Sequence, residues 1–250
     1  MTRVFIHGNP ETAAIWGPLL DALRERGESD LECLSPPGFG APRPSGFDAA
    51  PASYLDWLVE ELESIDGPVH LVGHDWGAGH VFGLLARRPD LVRSWAADCA
   101  GLVHPDYVWH DMAQAWQTLE VGEQVVEKMS AGSSDERIER FVEIGMTEAV
   151  ATEVVTDTDP SMGSCILDLY RGAAQPMMAD LGHSLTEMGL PPGLVLDATD
   201  DAYSQPALGR EMAQRLGAAV FTMEGEGHWW MCSVQDAAAD ALVEFWASLG

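Results

Sequence analysis

Positive charge is what this sequence has least of. Its 250 residues include 13 lysines and arginines against 40 aspartates and glutamates, a formal net charge of −27. Only one of the cations, Lys128, is a lysine. A chain this acidic repels nucleic acid and anionic membranes, so neither is an expected partner. The charge is spread along the chain rather than gathered into runs, and it reads as a solubilising surface. Cysteine is scarce as well. Cys33, Cys99, Cys165 and Cys232 lie far apart without a C-x-x-C pair, which predicts buried free thiols and no metal site. No apolar run is long enough to span a bilayer, and strand-like sequence begins at Arg3 with no leader before it. These absences predict a cytoplasmic protein. There is also no internal repeat and no low-complexity segment.

What is present is an ordinary globular composition, 46% hydrophobic, sized for one domain or for a core with an inserted subdomain. Short apolar strands alternate with amphipathic helices, the pattern of a parallel sheet covered on both faces. Strands are predicted at Val4–Ile6, Leu31–Leu34, Val69–Val72, Trp95–Cys99, Leu194–Asp197 and Val220–Met223. Helices are predicted at Ile15–Arg26, Tyr54–Ile65, Gly79–Arg88, Leu208–Leu216 and Val234–Leu249. Gly17-Pro18 and Gly38-Phe39-Gly40 punctuate the loops. The alternation breaks at residues 104–190, which read as helical throughout and rich in Met, Trp and acidic residues. The expected organisation is a core of residues 1–103 and 191–250 with a helical cap over the carboxyl edge of the sheet, where open α/β sheets bind ligands.

One segment stands out. Residues 71–78 read L-V-G-H-D-W-G-A, with Asp75 between Gly73 and Gly77. Glycines two residues to either side of a polar residue, after a strand and before a helix, mark a sharp turn that presents a nucleophile. The turn strains its central residue and brings backbone so close that a Cβ would obstruct it. An aspartate there has its own chemistry. Its carboxylate attacks a carbon that bears a leaving group and forms an alkyl ester with the protein. No second turn of this kind offers a serine. His7-Gly8-Asn9-Pro10 follows the first strand, and Gly227-His228-Trp229 follows the last. Of the eight histidines, His228 alone lies in a glycine-flanked loop after the final strand, a position suited to a general base. His74 is expected to pack behind the turn, and His104, His110 and His183 to be solvated or to line the substrate.

On these motifs the chain resembles α/β-hydrolases of the epoxide hydrolase and haloalkane dehalogenase branch, over nearly its whole length. It starts at what would be the third strand of the full fold, so the expected sheet has about six strands, shortened at the amino end, with an edge in need of cover. The resemblance implies a catalytic set of Asp75, His228 and an acid. The acid follows the pattern strand-G-x-x-D, which here ends on Asp201; Asp200 beside it and Asp98 on an earlier strand are the alternatives. The backbone N–H groups of Asn9 and Trp76 would form the oxyanion hole. No cofactor and no metal are implied.

The leaving group is less determined. Leu167-Asp168-Leu169-Tyr170-Arg171 resembles the cap segment in which epoxide hydrolases carry a tyrosine that protonates the ring oxygen. A second tyrosine is expected within Asp111–Gln117, which has none; Met112 stands near its place and Tyr107 lies just upstream. Against this, H-G-N-P with D-W-G resembles dehalogenases that hold halide with Asn and Trp side chains, here Asn9 and Trp76. Epoxide opening is the reading preferred on sequence. Haloalkane dehalogenation is the alternative; ester or lactone hydrolysis and a non-enzymatic receptor stay open. Trp109, Trp116, Met112, Met129, Met162, Met177 and Met178 suit an apolar, adaptable pocket. The expected partners are a small apolar substrate and water, and the expected state is a monomer or homodimer. Arg171 is the one obvious partner for a substrate carboxylate.

Overall fold

The computed structural model describes residues 1–250. Six strands, β1 (Arg3–Ile6), β2 (Leu31–Leu34), β3 (Val69–Gly73), β4 (Val92–Ala97), β5 (Gly193–Ala198) and β6 (Ala219–Met223), form one sheet in the order β2-β1-β3-β4-β5-β6. Every neighbouring pair is parallel. Strand order reverses between β1 and β3, because the chain runs outward to β2 before returning. Loops that leave two such strands diverge and open a crevice at the carboxyl edge. The His7–Pro10 loop and the turn at Asp75 leave those two strands.

The core helices are α1 (Gly17–Glu25), α2 (Pro51–Glu63), α3 (Trp76–Arg87), α10 (Pro206–Leu216) and α11 (Gln235–Ala247). Between β4 and β5 lie six more: α4 (Asp111–Gln117), α5 (Val121–Ser130), α6 (Ser134–Glu143), α7 (Glu148–Asp157), α8 (Met162–Gly172) and α9 (Met177–Thr186). Central strands are buried on both faces, β3 completely, so their apolar runs are continuous rather than alternating. Two apolar clusters flank the sheet. The larger one joins the α2 and α3 side to α8 and α9 through Leu84, Val103, Tyr170 and Leu185. The other joins α1 and α11 to α7 through Leu19, Val154 and Trp246.

Several boundaries differ from those predicted. The fourth strand runs from Val92 to Ala97, not from Trp95 to Cys99, and Cys99 adopts a left-handed φ of 49°. Gly17-Pro18 opens α1 instead of a loop, since proline lacks only an N–H that the first turn of a helix leaves unused. Helix α3 begins at Trp76, three residues before the predicted start, because the turn at Asp75 feeds straight into it. Residues 104–190 are helical as read, but not all of them overlie the sheet edge. Helix α9 lies against the core, where a Cβ on Gly182 would come 1.8 Å from the Val103 carbonyl oxygen. Met177 and Met178 therefore pack on the core cluster. The four cysteines are free thiols, Cys99 and Cys165 buried and the other two half-buried.

Candidate active site

Asp75 stands between β3 and α3 with φ 51° and ψ −119°, a left-handed backbone that L residues avoid. The flanking glycines are required by contact. A Cβ on Gly77 would come 2.0 Å from the Ile6 carbonyl oxygen, and one on Gly73 would meet the Gly77 backbone at 2.7 Å. A Cβ on Gly8 would fall 2.2 Å from the Asp75 carboxylate, so the His7–Pro10 loop lies directly against it. That loop brings the Asn9 N–H to Asp75 Oδ2 at 3.0 Å. The Trp76 N–H, at the first position of α3, has no intrahelical acceptor. Burial raises the Asp75 carboxyl to about 6, against the opposing pull of His228, His74 and the Asn9 N–H.

His228 Nδ1 bonds Asp201 Oδ2 at 2.9 Å, and its Nε2 faces Asp75 Oδ1 at 3.8 Å. Asp201 also accepts the Tyr203 N–H at 2.8 Å. Burial works to raise the Asp201 carboxyl, but His228 and these donors overcome it and hold it well below the usual range. Burial likewise pulls the His228 imidazole down, and Asp201 more than reverses this. Asp200 is exposed and Asp98 binds elsewhere, so of the three acids only Asp201 meets His228. Cys99, Asp201 and His228 present atoms within 4.8 Å of one another, a spacing that fits a metal. The Asp201–His228 hydrogen bond joins two of the three, and the Cys99 thiol donates to Asp201 Oδ2 at 3.8 Å.

Beneath the turn lies a buried charged set that the sequence reading did not find. The His74 ring sits between Asp98 Oδ2, bonded to Nδ1, and Glu11 Oε1, 3.3 Å from Nε2. Trp229 donates its indole N–H to Glu11 at 2.6 Å, and Trp230 donates its own to Asp98 at 2.8 Å. Asp98 further accepts the Asp75 N–H at 2.9 Å, and so ties the strained turn to the end of β4. Burial opposes charge on His74 and on Glu11, yet Asp98 and Glu11 together hold His74 well above its ordinary pKa, and His74 holds Glu11 near 2. The arrangement favours the charged form of His74, with Asp98 on one side of the ring and Glu11 on the other. The only sequence trace of Glu11 is an acid placed just after the H-G-N-P loop, where the chain must pass under the sheet edge.

A cleft of about 1040 Å³ opens above Asp75, lined by Asn9, His110, Trp116, Tyr170, Tyr203 and His228 near its base. Tyr170 is 2% exposed and boxed by Trp76, Trp109 and Trp116, with ring centroids 5.6, 5.2 and 4.7 Å away. Burial and the Asp75 charge push its phenol up, while the Asn9 amide and Trp76 indole beside the hydroxyl pull it down. Neither donor reaches good hydrogen-bond geometry, and Asn9 Nδ2 and Trp76 Nε1 are buried without partners. Trp109 stacks behind Trp76 instead of lining the cleft, a correction to its expected role. Met112, Met129 and Met162 do line it. Tyr107 is no second phenol, because its hydroxyl donates to the Tyr203 carbonyl at 2.8 Å. Arg171 is bound by Glu123 at 2.9 Å, outside the cleft; the cations on the cleft wall are Lys128, Arg137 and Arg140. His104 is buried, with Nδ1 accepting the Asp106 N–H, while His183 is solvated.

A strained strand-to-helix turn at the reversal of a parallel sheet, faced by a histidine and an acid from the two later loops, is the arrangement of an α/β-hydrolase. The family model described as the alpha/beta hydrolase family matches residues 4–245, and the chain belongs to that family. It is an enzyme of the hydrolase class. It is 28% identical, over 90% of its length and 82% of the relative's, to (E)-2-((N-methylformamido)methylene)succinate hydrolase of Acinetobacter baylyi. It is 31% identical to a haloalkane dehalogenase of Bradyrhizobium diazoefficiens over 43% of this chain and 34% of that one. Among solved structures, a loop variant of a haloalkane dehalogenase from Bradyrhizobium elkanii aligns with a TM-score of 0.73. That alignment covers 99% of this chain and 89% of the other at 20% identity, a likeness of fold. No helix is long and apolar enough to cross a membrane.

Proposed function

We propose that the chain hydrolyses small apolar substrates through an alkyl ester on Asp75, and that the substrate is an epoxide opened to a diol. Asp75 Oδ2 is held by the Asn9 N–H, so Oδ1, free of that bond, is the attacking atom. Its attack breaks the carbon–oxygen bond of the ring, and the Tyr170 phenol gives its proton to the departing oxygen. Water, deprotonated by His228, then adds to the ester carbonyl. The oxyanion forms at Oδ2, where the Asn9 and Trp76 N–H groups hold it, each donor contributing ~3 kcal/mol. Collapse releases the diol, whose oxygen takes the proton from His228. The proton freed as the Asp75 carboxylate reforms restores the phenol. Asp201 orients His228 and stabilises the imidazolium. The helices of residues 104–190 that line the cleft serve as the cap.

The observation that carries the epoxide reading is Tyr170, whose ring lines the same cleft as Asp75 and Asn9 and whose hydroxyl feels the Asp75 charge and the Asn9 and Trp76 donors. A departing alkoxide needs a proton, and this group can supply it. A second reading rests on those two N–H donors themselves, buried and without acceptors. A halide needs hydrogen bonds and no proton, and the partial relatives named haloalkane dehalogenases favour this reading.

Single turnover in ¹⁸O-water should place label on Asp75, read by peptide mass spectrometry; an unlabelled peptide sinks the covalent mechanism. Styrene oxide and 1-bromobutane assayed side by side decide the leaving group. Tyr170→Phe should lower epoxide turnover at least a hundredfold, the usual scale of one acid catalyst. Bromide release without diol formation makes the dehalogenase reading correct.

A further inference from the structure

Helix α4 lacks the expected tyrosine, and Met112 near its place is half in solvent, with 44% of its surface exposed. The residue that caps the same helix is His110. Its Nδ1 accepts the Ala113 N–H at 3.3 Å, which fixes the ring at the start of α4. A neutral imidazole that accepts at Nδ1 carries its proton on Nε2. The ring is wedged edge-on between Tyr203 and Trp116, with centroids 5.1 and 6.1 Å away, and it lines the cleft with Asp75, Tyr170 and His228. With Nδ1 turned to the helix, Nε2 lies on the opposite edge of a ring on the cleft wall. Burial, and after it the His228 charge, lower the His110 pKa to about 4 against the opposing pull of Asp201 and Asp111. The ring is therefore a neutral donor at physiological pH, fixed in tautomer and orientation.

We propose that His110 is a specificity residue whose Nε2–H hydrogen-bonds an acceptor oxygen carried by the substrate beside its reacting carbon. The ligand class is then an ether- or hydroxyl-bearing epoxide or alkyl halide, in preference to a plain hydrocarbon chain. This deepens the reading of Asp75 as the attacking group, but the donor acts in binding and does not depend on the leaving atom. A site built around a buried donor discriminates against analogues that leave it unpaired.

The test crosses substrate with variant. His110→Ser keeps an oxygen to cap α4 and removes the imidazole, and serine is among the favoured capping residues. Glycidyl methyl ether and 1,2-epoxypentane have the same chain length and differ by one oxygen. In His110→Ser, kcat/KM for the ether should fall about tenfold, the loss of one hydrogen bond, while the hydrocarbon changes less than twofold. His110→Asn, which caps and still offers an N–H, should recover part of the preference. Equal loss on both substrates, or no loss on either, overturns the proposal. Calorimetric binding of 3-methoxy-1,2-propanediol against 1,2-pentanediol repeats the comparison without turnover. A tenfold selective weakening there supports His110 even where ¹⁸O labelling fails at Asp75, and equal affinities in the two proteins count against it.

Discussion

Asp75 joins a left-handed backbone to a carboxylate almost wholly removed from water. Its pKa is about 6 in the folded chain against an ordinary 3.8, so folding is opposed by ionisation of this group. The sign follows from linkage. Above pH 6 the carboxylate is charged in both states, and the folded state bears the desolvation cost in full. Below pH 4 it is protonated in both and the cost vanishes. Asp75→Asn should therefore stabilise the protein at pH 7.5 by about 1–3 kcal/mol, the scale of such a shift, and raise Tm by several degrees. The gain should shrink as pH is lowered from 6 toward 4. Thermal melts of both proteins at pH 7.5 and 5.0 check this, and a gain that does not change with pH would show an unperturbed carboxyl. In the proposed mechanism the same group sets the acid limb of activity. Turnover should fall as pH drops through about 6, since the protonated acid does not attack.

At the scale of elements, the site is made where the end of β1 meets the turn between β3 and α3. The two backbones approach so closely that side chains have no room: Gly77 faces the Ile6 carbonyl, and Gly8 faces the Asp75 carboxylate. Gly77→Ala would force backbone apart rather than a flexible side chain, because the obstructing atom belongs to a central strand. The expected cost is about 3–5 kcal/mol, within the range of the most damaging single substitutions. Gly67→Ala makes a useful contrast: open space surrounds that position and its cost is confined to a positive φ. Urea midpoints of the two variants test this, and equal midpoints would contradict the steric account. The wall of the cleft is built differently. Helix α6 buries no residue and α5 buries only Gly122, whereas α8 buries six of its side chains and holds Tyr170 firmly. The phenol thus stands on the rigid side of the cleft and the cations Lys128, Arg137 and Arg140 on the lightly packed side.

Across the whole molecule, a net charge of −27 opposes compaction through self-repulsion. Surface ion pairs do little to offset it, with only 13 cations to share among them. Salt should consequently stabilise the fold: moving from 10 mM to 500 mM NaCl shortens the screening length from about 30 Å to about 4 Å and should raise Tm by several degrees. A Tm that falls across that range would mean that attractive pairs dominate instead. Much of the fold and site could be read along the chain, because the signals are local. Six strands, the parallel sheet and the turn at Asp75 follow from apolar runs and a five-residue glycine spacing. His228 follows from its loop after the last strand. Contacts between distant segments had no such trace. Asp200 and Asp201 are neighbours in sequence, and only the direction of the loop after β5 turns one to solvent and the other to His228. Glu11 and Asp98 become a pair only because β1 and β4 end on either side of His74. Tyr107, Trp109 and Arg171 looked like site residues by composition; packing assigned each of them to a neighbour instead. The sequence by itself determined the α/β-hydrolase fold and the carboxylate set in its strained turn, the feature on which the proposed ester chemistry rests. Tertiary structure decided which acid meets the histidine and which backbone N–H holds the Asp75 carboxylate, because these depend on distances across loops that no periodicity encodes.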